Sequence, residues 1–113
     1  MPAFRPLSIV IHSDVKPVYD KLEEEGKSGR KEATGIWRSF ERAIARIRVD
    51  GQWGEVIPNI PPHFLRKYAV PNLYCVDLAY FHSAFYTIFG RDVVFLDLVD
   101  HRQYNRWFPG RRI

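Results

Sequence analysis

Residues 72–108 read NLYCVDLAYFHSAFYTIFGRDVVFLDLVDHRQYNRWF. Much of this stretch repeats with a period of two, the mark of half-buried strands. In NLYCVDLA (72–79), Leu73, Cys75 and Asp77 fall on one side, and Tyr74, Val76 and Leu78 on the other. SAFYTIFG (83–90) and DVVFLDLVD (92–100) read as two further strands. The short link Phe89–Gly90–Arg91–Asp92 between them is a hairpin signal. A helical turn is expected around Arg102–Trp107, before Pro109–Gly110.

The first half has a different rhythm. LSIVIH (7–12) is short, apolar and β-branched, and predicts a buried strand. Ser13 or Asp14 then caps a helix whose face is Val15, Val18, Tyr19 and Leu22. Pro17 falls in its first turn, where a missing N–H costs least. Gly26 and Gly29 break that helix. A longer one follows over about Lys31–Val49, with Trp37, Phe40, Ile44 and Ile47 as its apolar stripe and Arg38, Arg42 and Arg46 as a basic one. EVI (55–57) is a short strand, and PNIPPHFLRKYAVP (58–71) a proline-punctuated connection with room for one helical turn. Strand, helix, helix and then several strands make an α+β domain over residues 1–113. Two N-terminal helices pack on a mostly antiparallel sheet of four to five strands. On this reading the other sheet face stays open for binding. Trp37 and Cys75 are expected in the core.

Composition narrows the class. Hydrophobic residues make up 46% of the 113 and charged residues 27%, ordinary for one globular domain. Cys75 is the single cysteine, so no intrachain disulfide forms, and a reducing, cytoplasmic setting is the simplest inference. No apolar run approaches the ~20 residues of a membrane span, and the start does not read as a signal peptide. Residues 1–100 hold thirteen Lys/Arg and thirteen Asp/Glu. Beyond Asp100 come Arg102, Arg106, Arg111 and Arg112 with no acid, so the net charge of +4 sits in the tail beside His101 and Tyr104. Such asymmetry suits a polyanionic partner.

Several motifs are excluded. GKS at 26–28 lacks the glycine that a phosphate loop requires, since Lys21 stands there and an acidic helix precedes it. His12, His63, His82 and His101 have no close metal spacing, so neither a metal nor another cofactor is expected. No serine sits in a nucleophile elbow. The Arg38–Arg42–Arg46 stripe reads as a solvated helix face, with contact to ribosomal RNA or a protein partner as the alternative.

IPPHFLRKYAVPNLYCVDLAYFHSAFYTIFGRDVVFLDLVDHRQYNRWF (60–108) resembles the RelE/ParE toxin superfamily, and within it the archaeal RelE-like branch. The features that carry the resemblance are PPHFLRKYAV, NLYCVDL and FYTIFGRDVVFLDLVDHRQY. The resemblance implies a toxin of a type II toxin–antitoxin pair. RelE-like members cut messenger RNA in the ribosomal A site, ParE-like members poison DNA gyrase, and an antitoxin wraps and silences both. The expected partners are therefore a cognate antitoxin, the ribosome and messenger RNA. Metal-free RNA cleavage needs a base for the 2′-OH, a cation for the phosphate and an acid for the 5′-oxygen. His101, Arg102, Tyr104, His82 and Lys67 are the candidate catalytic residues, with Arg66, Arg106, Arg111 and Arg112 holding RNA. Many RelE-like members carry an arginine at the start of the strand matching SAFYTI, where this chain has His82–Ser83. Either His82 takes over part of that role, or the chain cuts poorly or not at all. The alternatives are a ParE-like action on gyrase, and a toxin fold that binds antitoxin or RNA without catalysis.

Overall fold

The computed structural model describes residues 5–110 of the chain. Arg111 and Arg112, expected to hold RNA, lie outside the described residues. The element order is β1 (Ser8–Ile11), α1 (Lys16–Lys27), α2 (Lys31–Val49), β2 (Glu55–Val56), α3 (Pro62–Tyr68), β3 (Tyr74–Leu78), β4 (His82–Phe89), β5 (Asp92–Asp100) and α4 (His101–Trp107). The chain is thus α+β. Its strands form one five-stranded sheet in the order β1-β5-β4-β3-β2. β1 lies parallel to β5, and the other neighbours are antiparallel.

Alternating side chains give the sheet two apolar faces. Val76, Leu78, Ala84, Tyr86, Val93 and Phe95 pack under α1 and α2, against Val15, Tyr19, Ile36, Phe40, Ala43 and Ile47. Leu73, Cys75, Phe85 and Leu96 face the other way, under Phe64 of α3 and Tyr104 and Phe108 of α4. The expectation of an open second face is therefore overturned. Its apolar side chains are too many to leave in water, and the two short helices cover them.

Local corrections follow from the same accounting. Neither Ser13 nor Asp14 caps α1: Val15 occupies the N-cap position with no side-chain cap. The N–H groups of Val15 and Lys16 both donate to the His12 carbonyl at 3.0 Å, so a turn out of β1 delays the helix. α1 runs through Gly26, and the chain reverses at Gly29, whose φ is +88°. Val18 stays exposed. The buried stripe of α2 is Ala33, Ile36, Phe40, Ala43 and Ile47, while Trp37 and Ile44 flank it half-buried. Gly35, unfavourable inside a helix, seats a ring: a Cβ there would come within 2.6 Å of the Tyr80 side chain.

Candidate functional site

The local device that builds the site is a bulge in the β4–β5 ladder. Tyr86 pairs with Phe95, but Ala84 pairs with Leu98. Phe85 therefore faces two residues, Leu96 and Asp97, where strict pairing allows one. A bulge of this kind re-aims a side chain. Counting alternately from Val93 and Phe95 would put Asp97 beneath α1 and α2. Instead its carboxylate reaches α3 on the opposite face.

There it meets a helix with the matching spacing. His63 and Lys67 stand four residues apart on α3, hence on one side of it. His63 Nε2 lies 2.6 Å from Asp97 Oδ2. The carboxylate accepts, so Nε2 carries the proton and Nδ1 is left for another partner. Lys67 Nζ lies 3.9 Å from Asp97 Oδ1 and 5.1 Å above the Tyr68 ring. The His63 ring stacks on Trp107 of α4, with centroids 4.4 Å apart and planes 18° apart. The Asp97 side chain is only 14% exposed, whereas His63 and Lys67 are 30% and 39% exposed. A shielded carboxylate thus orients a histidine that solvent and ligands can reach.

Tyr68 closes the back of this cluster. Its ring meets His12 edge-on at 4.9 Å and His63 at 6.1 Å. Its hydroxyl is shielded and makes no well-formed hydrogen bond among the described residues. Burial, then the Asp97 carboxylate, pushes its ionisation well above the usual phenol range. Tyr19, whose hydroxyl donates to the Leu96 carbonyl at 2.8 Å, is raised for the same two reasons in the same order. Both phenols are therefore held neutral beside a carboxylate.

Of the catalytic residues expected from sequence, His82, His101 and Arg102 lie around the Asp100 carboxylate, whereas Lys67 and Tyr104 do not join them. Tyr104 is 3% exposed and packs against Phe85 and Phe108, with centroids 6.1 Å and 4.7 Å away, so its ring belongs to the core. The cause is the helix: Tyr104 and Phe108 are one turn apart and face inward together. Asp100 starts that helix by accepting from the Gln103 N–H at 3.0 Å. His82 lies on the α1–α2 side, near Leu22, Glu25 and Ile36, across the sheet from Lys67. Its Nδ1 donates to the Tyr80 carbonyl at 2.8 Å, which makes it a brace for the preceding turn. Ser83, standing where a family arginine was considered, is buried, with its hydroxyl 3.5 Å from Asp77 Oδ1. His101 and Arg102 are exposed at the start of α4, and Arg106 at its end reaches Gln103 at 3.5 Å. Arg66 is exposed on α3 beside Lys67.

Lys67 is the one candidate catalytic residue that joins the His63–Asp97 pair. The sequence carried one usable signal for His63, its four-residue spacing from Lys67 behind two prolines. Asp97 gave none, because nothing in LDL announces a bulge. No cluster of three or more metal-binding side chains occurs among the described residues, and none of their helices is long and apolar enough to cross a membrane. Compared with known proteins, the chain matches no family model, no curated protein and no solved structure.

Proposed function

We propose that the chain is a RelE-like toxin of a type II toxin–antitoxin pair that cuts ribosome-bound messenger RNA without a metal. On this proposal its acid–base centre is His63–Asp97 with Lys67, in place of the tail cluster. The observation that carries the reading is the 2.6 Å contact between His63 and a shielded Asp97, with Lys67 3.9 Å from the same carboxylate. The resemblance of PPHFLRKYAV to the family adds support, because His63 and Lys67 both fall inside it.

The chemistry follows from the protonation pattern. Asp97 holds the His63 proton on Nε2, so Nδ1 accepts the proton of the ribose 2′-OH. The 2′-oxygen attacks the adjacent phosphorus and the bond to the 5′-oxygen breaks. Asp97 stabilises the imidazolium formed at His63. Lys67 offsets charge growing on the phosphate, and its ammonium group supplies the proton that the leaving 5′-oxygen takes up. The Trp107 stack fixes the imidazole plane, which lowers the cost of orientation.

The test is cleavage of a messenger RNA on purified ribosomes. His63→Gln should slow cutting by about 10²-fold or more, well beyond the effect of His101→Gln or His82→Gln, neither of which touches the His63–Asp97 pair. Unaltered cutting by a folded His63→Gln variant would remove the dyad from the reaction. A second reading, a ParE-like toxin or one that binds without cutting, is favoured by one observation. Tyr104 is buried and Lys67 lies apart from His82, His101 and Arg102, so the five catalytic residues expected from sequence form no single centre. Arrested gyrase supercoiling with uncut messenger RNA would establish the ParE-like form.

A further inference from the structure

The connection between β3 and β4 is built against its own conformational preference. Tyr80 and Phe81 are consecutive, and both have φ of +56°. Side chains disfavour that region, and hairpin turns with two such residues are ordinarily Asn-Gly, Asp-Gly or Gly-Gly. The surroundings hold the turn in place. The Ala79 N–H donates to Ser39 Oγ of α2 at 3.0 Å, and His82 Nδ1 donates to the Tyr80 carbonyl at 2.8 Å. The Tyr80 ring rests on Gly35 of α2.

The result is display. Phe81 is 67% exposed, the most exposed of the large apolar side chains described, and Tyr80 beside it is 46% exposed. The His101 ring meets Phe81 edge-on, 5.8 Å away at 66°. Arg102 follows at once on α4. The acids of this corner are already engaged: Glu25 pairs with Arg30 at 3.4 Å, and Asp100 caps α4. The Gln103 N–H chiefly, then His82, Arg102 and His101, hold its carboxyl below the usual range. Two exposed rings with an arginine and an imidazole beside them are the chemistry that receives an unpaired base and its phosphate.

We propose that the Tyr80–Phe81 turn is a stacking platform for an unpaired base of single-stranded RNA, with His101 and Arg102 on the adjoining phosphate. The choice of RNA over a protein partner rests on charge: the thirteen residues beyond Asp100 hold four arginines and no acid. The proposal shares its substrate class with the function proposed above but does not use the His63–Asp97 centre.

The experiment separates the two. A fluorescent 2′-O-methyl oligouridylate lacks the nucleophile, so its anisotropy with the full chain reads binding without cutting. Phe81→Ala should weaken binding by about 5- to 100-fold, and Phe81→Trp should restore it. Arg102→Ala should weaken binding and flatten its dependence on salt. Val49→Ala, exposed at the far end of α2 from Gly35, should bind as the parent does. Affinity within two-fold of the parent for Phe81→Ala overturns the proposal, as does failure of the parent to bind the oligonucleotide at low salt. An unchanged RNA affinity with lost binding of an acidic antitoxin protein also overturns it, in favour of a protein-docking face. Whether the parent cuts messenger RNA on ribosomes bears only on the function proposed above.

Discussion

Replacing Phe81 by glycine and by alanine, side by side, isolates the strain in the β3–β4 turn. Both changes delete the same ring, which is 67% exposed and touches His101 only edge-on, so the loss of packing cancels between them. They differ in the Cβ. With φ at +56°, a residue that carries a Cβ pays about 1–2 kcal/mol for the left-handed region. Glycine escapes that cost but gives back about 0.5–1 kcal/mol through the greater freedom of its unfolded chain. The net expectation is that Phe81→Gly is more stable than Phe81→Ala by about 0.5–1 kcal/mol, or about 2–5 °C in melting temperature for a domain this size. Urea unfolding and thermal melts followed by circular dichroism measure it. Binding of the oligouridylate should fall in both variants, so the more stable of the two would still be a poor binder. An alanine variant as stable as the glycine variant would refute the reasoning, because the strain would then be no larger than the cost of about 0.5–1 kcal/mol from glycine's freer unfolded chain.

Three further expectations concern the core and the site. The Tyr86 hydroxyl donates to the Gly51 carbonyl at 2.7 Å and accepts from the Gly54 N–H at 3.0 Å, so Tyr86→Phe should cost about 1–3 kcal/mol in urea unfolding. Burial pushes the Tyr86 phenol from 10.0 to about 12. The native state therefore holds this proton more tightly than the unfolded chain. Its contribution is complete below pH 10 and is lost as pH rises towards 12, by up to about 3 kcal/mol. Tyr86→Phe should make the alkaline decline shallower than the parent's, and an identical decline would show that Tyr86 is not responsible. Phe40→Ala should cost about 3–5 kcal/mol. Trp37→Ala should cost less, because Trp37 only flanks the core, 5.4 Å from the Phe40 ring; equal losses would contradict that burial order. Asp97→Asn should slow messenger RNA cutting much as His63→Gln does, and full activity would show that the carboxylate orients nothing.

What could be read from the chain follows from which local rules it obeys. From Gly90, whose φ is +57°, out to the Tyr86–Phe95 pair β4 and β5 pair regularly, so the hairpin and its turn were visible in the residue pattern. The bounds of α2 were equally plain, since its apolar spacing runs unbroken from Ala33 to Ile47. A helical turn over Arg102–Trp107 is expected from sequence and is found in α4, but the sequence reading groups His101, Arg102 and Tyr104 as one cluster and so misplaces Tyr104. In a helix begun by Asp100 these residues point in different directions, and apolar burial takes Tyr104 inward. The β3–β4 turn was hidden because Tyr-Phe carries no turn signal. The covered second face was missed because α3 was expected to be a single turn, whereas seven residues form a helix that buries Phe64.

The two places proposed to carry chemistry are both places where local rules fail. One is the bulge that re-aims Asp97, and the other is the turn that holds Tyr80 and Phe81 at positive φ. Such violations persist only where surrounding contacts over-determine them, and here they are joined by one element. α4 begins at His101, which touches Phe81, and ends at Trp107, which stacks on His63. At about 1.5 Å per residue the helix spans roughly 9 Å between those contacts. Its inner side, Tyr104 and then Phe108 just past its end, is fixed in the core, while Arg102 and Arg106 face solvent along the way. The excess positive charge that the chain collects beyond Asp100 thus includes a line of cations from the displayed ring to the oriented imidazole. A core-anchored helix holds that line rigid, so a polyanion lying along it would meet both without rearrangement of the sheet.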